Sequence, residues 1–157
     1  LRLVGDGGIS PGEVLARVNT LLLKDFPSAK FVTMVYAILD PGRRRIVFAN
    51  AGHPYPLLVD GAGVRALETD SGLPLGIGEG RYDERVVEME PGSRLVFYSD
   101  GVTEATDAQS TQYGEARLRD HLVSLGVTVH TLLDDVRAFS SGRSASDDLT
   151  VVMVTAG

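Results

Sequence analysis

The spacing of apolar and polar residues divides the chain into short strands and a few helices. Leu1 and Leu3 alternate ahead of Gly5-Asp6, which reads as a short strand delivering a carboxylate to its end. Ser10-Pro11-Gly12-Glu13 joins an N-cap serine, a proline suited to the first helical position and a glutamate three residues after the cap. Behind it Val14, Leu15, Val18, Leu21 and Leu22 fall on one stripe with Arg17 and Lys24 off it, predicting a helix over 11–24 packed on a sheet. The β-rich run 31–39 ends in the turn Asp40-Pro41-Gly42, and 45–50 is its expected hairpin partner. Strands at 57–59 and 64–67 flank a second tight turn, Asp60-Gly61-Ala62-Gly63.

The glycine-rich stretch 69–81 reads as a loop, a lid or rim. Residues 82–89 alternate and lead through Pro91-Gly92 into an apolar strand, 94–99, so these two strands are expected to form another meander. Two helices are predicted after it. One spans 114–125 with Leu118, Leu122, Val123 and Leu125 inward, and the other spans 128–140 with Leu132, Leu133, Val136 and Phe139 inward. A polar linker, 141–146, enters the last strand, Leu149 to Val154. Seven or eight strands in meanders, with about three helices grouped rather than alternating with them, predict an antiparallel α+β layered domain and argue against a doubly wound parallel sheet.

Composition narrows the function. At 157 residues with 43% apolar content the chain suits one domain with a sizeable core. A net charge of −6 without any basic block argues against a nucleic-acid surface and against direct membrane contact. No stretch has the length of a transmembrane helix and there is no signal pattern, so a cytoplasmic location is expected. With no cysteine, disulfides, zinc-thiolate sites and cysteine nucleophiles are excluded.

The candidate chemistry lies in acids at strand ends. Leu95-Val96-Phe97-Tyr98 runs into Ser99-Asp100-Gly101, and Asp147-Asp148 stands immediately before Leu149-Thr150-Val151. If these strands are antiparallel neighbours, Asp100 and Asp147 share one rim of the sheet. Three rim aspartates, Asp6, Asp100 and Asp147, would repel one another unless hard divalent cations joined them; carboxylates and water suit Mg²⁺ or Mn²⁺. A pair of such ions can activate water for phosphoryl chemistry without a protein nucleophile. Spacing alone also allows an ordinary strand-to-turn exit at Asp100-Gly101 and a solvated corner at Asp147-Asp148. His53, in a proline-bounded loop, permits a ligand or phosphate contact, although fixing its own loop is the simpler role. His121 and His130 read as surface residues of the helices. Ser99 lacks a nucleophile elbow and a base, so serine nucleophile chemistry is rejected.

Taken in order, Phe31-Val32-Thr33-Met34-Val35-Tyr36, Ala49-Asn50-Ala51-Gly52-His53-Pro54, Gly72-Leu73-Pro74-Leu75-Gly76, Tyr98-Ser99-Asp100-Gly101-Val102-Thr103-Glu104-Ala105 and Ser146-Asp147-Asp148-Leu149-Thr150 resemble the SpoIIE/RsbU-type serine phosphatases. These are the bacterial branch of the metal-dependent type 2C (PPM) protein phosphatases, and the resemblance covers residues 10–155. It implies an α-β-β-α sandwich, two antiparallel sheets face to face with helices outside, and two Mn²⁺ or Mg²⁺ ions at one edge. Residue by residue, Asp100 and Asp147 match the family's metal ligands, with Asp6 as the bridging ligand. Gly101, Glu104 and Asp148 match positions that support the metals or contact them through water. The implied reaction is hydrolysis of phosphoserine or phosphothreonine on a STAS-type anti-sigma-factor antagonist in a partner-switching pathway, under an upstream sensory or receiver domain. Homodimerisation through the first helix is left open.

One place departs from the family pattern. There, the first Gly-Asp is followed by Ser-Gly-His-Gly or Ser-Gly-Lys-Gly and a long helix, whereas Gly5-Asp6 here runs into Gly7-Gly8 and the Ser10 helix. Either the motif is absent, or a segment is missing after Asp6 from a chain that is itself a fragment of a longer regulated protein. The strand-then-Gly-Asp form of residues 1–6 favours the second. Two other readings stay open at this stage: a catalytically inactive pseudophosphatase acting as a partner-binding module, and a metal-free α+β ligand-binding domain.

Overall fold

The computed structural model describes residues 8–25, 30–70, 72–140 and 147–157. The expected strand at 1–3, Asp6 and the linker 141–146 lie outside them. In chain order the elements are α1 (Pro11–Asp25), β1 (Met34–Asp40), a 3-10 turn (Pro41–Arg43), β2 (Arg45–Ala51), β3 (Leu57–Asp60), β4 (Gly63–Ala66), β5 (Glu84–Glu88), β6 (Arg94–Tyr98), α2 (Asp100–Glu104), α3 (Gly114–Leu122), α4 (Val129–Phe139) and β7 (Val151–Thr155). They fall into two compact units, Leu1–Tyr55 with Glu68–Glu90, and Pro56–Leu67 with Pro91–Gly157.

The first unit holds α1 and a sheet of order β1-β2-β5, antiparallel throughout. The β1–β2 hairpin closes with Asp40 opposite Arg45, and Asp40 accepts a hydrogen bond from the Arg43 amide at 3.2 Å. At the start of α1, the Ser10 amide donates to Glu13 Oε2 at 3.2 Å and the Gly12 amide donates to Glu84 Oε1 of β5 at 3.0 Å. Both bonds occupy N–H groups at a helix start that have no intrahelical partner. Leu15, Ala49, Ala51, Leu75 and Tyr82 form the core of this unit, with Val18 and Leu22 packed against it.

Leu21, expected on the inward stripe, is 59% exposed. Six residues past Leu15 place it about 120° around the helix, and the buried line runs instead through Asn19 and Leu22. Asn19, 3% exposed, donates from Nδ2 to the Gly78 carbonyl and accepts from the Gly76 amide, both at 2.8 Å, so α1 holds the 72–78 loop through one amide side chain. Replacing it with alanine strands two backbone groups away from their partner. Asn19→Ala is expected to cost about 1–3 kcal/mol in urea unfolding; an unchanged midpoint would contradict this role.

The second unit carries a four-stranded antiparallel sheet of order β4-β3-β6-β7. Its hairpin pairs Asp60 with Gly63 across the expected two-residue turn, and the Ala62 amide donates to Asp60 Oδ1 at 2.9 Å. The core joins Leu57, Val59, Val96 and Tyr98 of the sheet to Val102, Leu118, Leu122, Leu132 and Val136 of the helices and to Tyr113, which precedes α3. The expected meander between the strands at 82–89 and 94–99 is not formed: β5 pairs with β2, and β6 pairs with β3 and β7. Pro91-Gly92 therefore marks a crossing between sheets, where short-range turn signals carry no information about which strand is the partner.

The helix predicted over 114–125 stops at Leu122, leaving Val123 58% and Leu125 102% exposed. Arg94 accounts for the early stop, donating to the Leu122 carbonyl at 2.8 Å and the Val127 carbonyl at 3.3 Å and so satisfying the helix end. A reciprocal Thr128/Thr131 capping box starts α4. His130 is exposed as expected. His121 is not a plain surface residue: its side chain is 20% exposed and its Nδ1 lies 3.5 Å from Asp135 Oδ2.

Candidate metal centre

The β6–β7 ladder positions the candidate site. Its register sets Arg94 opposite Thr155 and Tyr98 opposite Val151, which places the end of one strand beside the start of the other. The Ser99 amide continues the ladder by donating to the Thr150 carbonyl at 3.0 Å. Ser99 Oγ then donates to the Asp148 carbonyl at 2.8 Å and accepts from the Thr150 amide at 3.0 Å. Ser99 is also the N-cap residue of α2, yet its hydroxyl makes no capping hydrogen bond. A serine at this position ordinarily bonds the helix's own amides. Here it is committed across the rim.

Glycine at 101 allows the second close approach. A Cβ on Gly101 would lie 2.6 Å from the Asp148 carbonyl oxygen and 3.5 Å from the Asp147 carbonyl carbon. Because the nearest atom is backbone, no side-chain rotation relieves the clash. The start of α2 and the 147–148 corner are thus in direct contact, and Asp100 and Asp147-Asp148 lie on one rim as their strand-end positions predicted. The Gly101 amide donates to Asp100 Oδ1 at 3.0 Å and the Asp148 amide donates to Asp147 Oδ1 at 2.7 Å, so each carboxylate is oriented through one oxygen.

All three aspartates are exposed, and among the described residues no lysine, arginine or histidine pairs with them. Glu104, also exposed, lies at the last position of α2, four residues and about one turn from Asp100. Oxygen-only donors with uncompensated negative charge and access to water fit a hard divalent cation such as Mg²⁺ or Mn²⁺. Among the described residues no group of three or more His, Cys, Asp or Glu side chains comes together to hold a metal. The remaining expected ligand, Asp6, is outside them.

Two phenols of the second unit are held in their neutral form. Burial pushes the Tyr98 phenol up to about 12, with Glu115 adding to the shift and Arg119 opposing it. Burial likewise raises Tyr113, reinforced by its 2.6 Å hydrogen bond to Asp135. Both stay protonated near neutrality.

His53 belongs to the first unit. Its ring Nδ1 is 3.0 Å from Thr33 Oγ1, while Asn50, fully buried, accepts from the His53 amide and donates to its carbonyl, each at 2.8 Å. Asn50 thus fixes the loop through both backbone groups of His53, and the ring is tied to Thr33. Asn50 and Asn19 were missed from the sequence, although an Asn three residues before a His-Pro pair is a recognisable side-chain-to-backbone turn.

These features define a type 2C phosphatase-like domain, an α+β arrangement of two antiparallel sheets with flanking helices. The profile of the Stage II sporulation protein E (SpoIIE) family matches residues 1–157, and the chain belongs to that family. It is 27% identical over 153 residues to the phosphoserine phosphatase RsbP of Bacillus subtilis, covering 94% of this chain and 37% of RsbP. To the phosphoserine phosphatase RsbU of the same organism it is 31% identical over 100 residues, covering 62% of this chain and 30% of RsbU. The chain thus spans well under half the length of either relative. Among solved structures, the SiaA-PP2C domain of Pseudomonas aeruginosa superposes with a TM-score of 0.80 at 18% identity, over 96% of this chain and 62% of that one. That likeness is one of fold.

Proposed function

We propose that this chain is the catalytic domain of a metal-dependent protein serine/threonine phosphatase. In this reading Asp100 and Asp147, with Asp6, hold two Mn²⁺ or Mg²⁺ ions, and Asp148, Glu104 and the Gly101 backbone support them. The observation that carries the proposal is the junction at the end of β6: the backbone segments bearing Asp100 and Asp147-Asp148 are clamped together through Ser99 and Gly101, and neither carries a basic partner among the described residues. When bound, such ions supply Lewis acidity that activates water and offsets charge on a phosphoryl group. The chain's own contribution is to fix the carboxylates before the ions arrive. The Ser99 clamp and the Gly101 contact hold the two segments in register, and the adjacent amides set which oxygen of each aspartate stays open.

The substrate in this proposal is phosphoserine or phosphothreonine on a STAS-type anti-sigma-factor antagonist, within a cytoplasmic partner-switching pathway and under an upstream sensory or receiver domain of a longer protein. Support comes from the relatives' names as phosphoserine phosphatases and from the ordered motifs. No helix among the described residues is long and apolar enough to cross a membrane. The test is release of phosphate from a phosphorylated STAS-domain protein, followed by mass spectrometry. Hydrolysis is expected with Mn²⁺ and is expected to stop with a chelator; metal-independent hydrolysis would overturn the proposal.

The departure after Asp6 favours a second reading, a pseudophosphatase that binds its partner without turnover. It requires binding of the phosphorylated STAS protein with no phosphate release at saturating Mn²⁺.

A further inference from the structure

The Ser99 hydroxyl offers more than a strand-end contact. Three facts set it apart: it occupies a helix N-cap and does not cap, it donates to one segment of the opposing rim, and it accepts from the same segment two residues on. Ser99 Oγ therefore closes a ring whose other members are the Asp148 carbonyl and the Thr150 amide. Its neighbour in sequence is Asp100, and the stretch it grips begins one residue after Asp147. Beyond the β6–β7 ladder and the Ser99 amide bond, the segments bearing Asp100 and Asp147 are joined by this hydroxyl and by the close approach that Gly101 allows.

We infer that Ser99 is a positioning residue that sets the affinity of the rim for divalent cations. This inference rests on the metal-centre reading above. Chemically, the hydroxyl is suited to the task because it serves as donor and acceptor at once, which neither alanine nor a purely accepting carboxylate can do. Carbonyl and amide partners two residues apart fix both the distance and the twist of the 148–150 segment against β6. Without the hydroxyl, the Asp148 carbonyl and the Thr150 amide turn to water, and only the Ser99 amide bond to Thr150 and the Gly101 contact remain past the end of β6. Groups of this kind, one step removed from the ligands, commonly govern metal affinity by about 10–100-fold.

The experiment compares the parent chain with Ser99→Ala and Ser99→Thr by Mn²⁺ titration calorimetry, alongside thermal unfolding of the metal-free proteins and amide hydrogen exchange at Thr150. Ser99→Ala is expected to weaken Mn²⁺ binding by about 10–100-fold and to speed Thr150 exchange while the fold is retained. Ser99→Thr, which keeps the hydroxyl, is expected to recover both. A purely structural role would lower the metal-free thermal midpoint and leave the Mn²⁺ affinity of the folded protein where it was; that result would overturn the inference. Failure of the parent chain itself to bind Mn²⁺ would instead sink the metal-centre reading, and this inference with it, so the two failures are told apart by the parent titration.

Discussion

Asp100→Ala is expected to lower kcat/KM for phosphoserine hydrolysis by about 10³-fold or more, because it removes a carboxylate that holds the ions in place. The protein without metal should not suffer. Asp100 is exposed, its backbone runs beside the Asp147-Asp148 segment, and no basic side chain pairs with it among the described residues. Its removal breaks no such pair, so the metal-free unfolding free energy should change by no more than about 0.5 kcal/mol. Mn²⁺ should behave differently. At 100-fold over its dissociation constant, a ligand bound only by the native state adds about 2.7 kcal/mol. For a domain of this size that corresponds to a rise of about 5–10 °C in the thermal midpoint. The parent should show the rise and the variant should lose it. Asp147→Ala is expected to behave the same way, and the double variant little worse than either single one, since the two groups act as a unit. Substantial activity in the double variant would defeat the proposed mechanism.

Gly101→Val is expected to cost about 3 kcal/mol in urea unfolding, at the upper end of overpacking effects, and to abolish metal binding. Two effects oppose each other at this position. Glycine in a helix is less favourable than alanine by about 1 kcal/mol, so propensity alone would make Gly101→Ala stabilising. Against that stands a Cβ 2.6 Å from the Asp148 carbonyl oxygen, a contact that only backbone movement can relieve. Overpacking costs about 1–3 kcal/mol, so sterics win for alanine by a small margin. They win decisively for valine, which brings two more carbons and no helix preference. Movement of α2 away from the 147–148 corner separates the carboxylates as well, so stability and Mn²⁺ affinity should fall together. A more stable Gly101→Ala variant with intact Mn²⁺ binding would show that the close approach is unimportant.

The residues that made the rim legible from sequence did so because their information is local. An apolar run ending in Ser-Asp-Gly, and two aspartates just before another apolar run, need only antiparallel pairing to bring their acids together, and the β6–β7 register supplies it. Hairpins closed by Asp40-Pro41-Gly42 and Asp60-Gly61-Ala62-Gly63 were legible for the same reason. What escaped was set at long range. The alternation of 82–89 marks β5 correctly but not its partner β2, and the Pro91-Gly92 turn gave the wrong neighbour. The apolar stripe continues through Val123 and Leu125, but Arg94, distant in sequence, takes the Leu122 carbonyl at the end of α3 and the Val127 carbonyl beyond it. Buried Asn19 broke the stripe of α1 because its partners, Gly76 and Gly78, lie in a loop far along the chain. The clamp made by Ser99 is not legible in its Ser-Asp-Gly motif, because its bonds to Asp148 and Thr150 exist only once β7 has paired. The acids were visible as chemistry; the scaffolding that aligns them was not.

The most direct measurement is a crystal structure of the chain grown with Mn²⁺, with data collected at the manganese absorption edge. Anomalous peaks are expected at the rim where β6 ends, with oxygens of Asp100 and Asp147 as ligands. Peaks confined to other parts of the surface, or no peak beside these two aspartates at saturating Mn²⁺, would contradict the account.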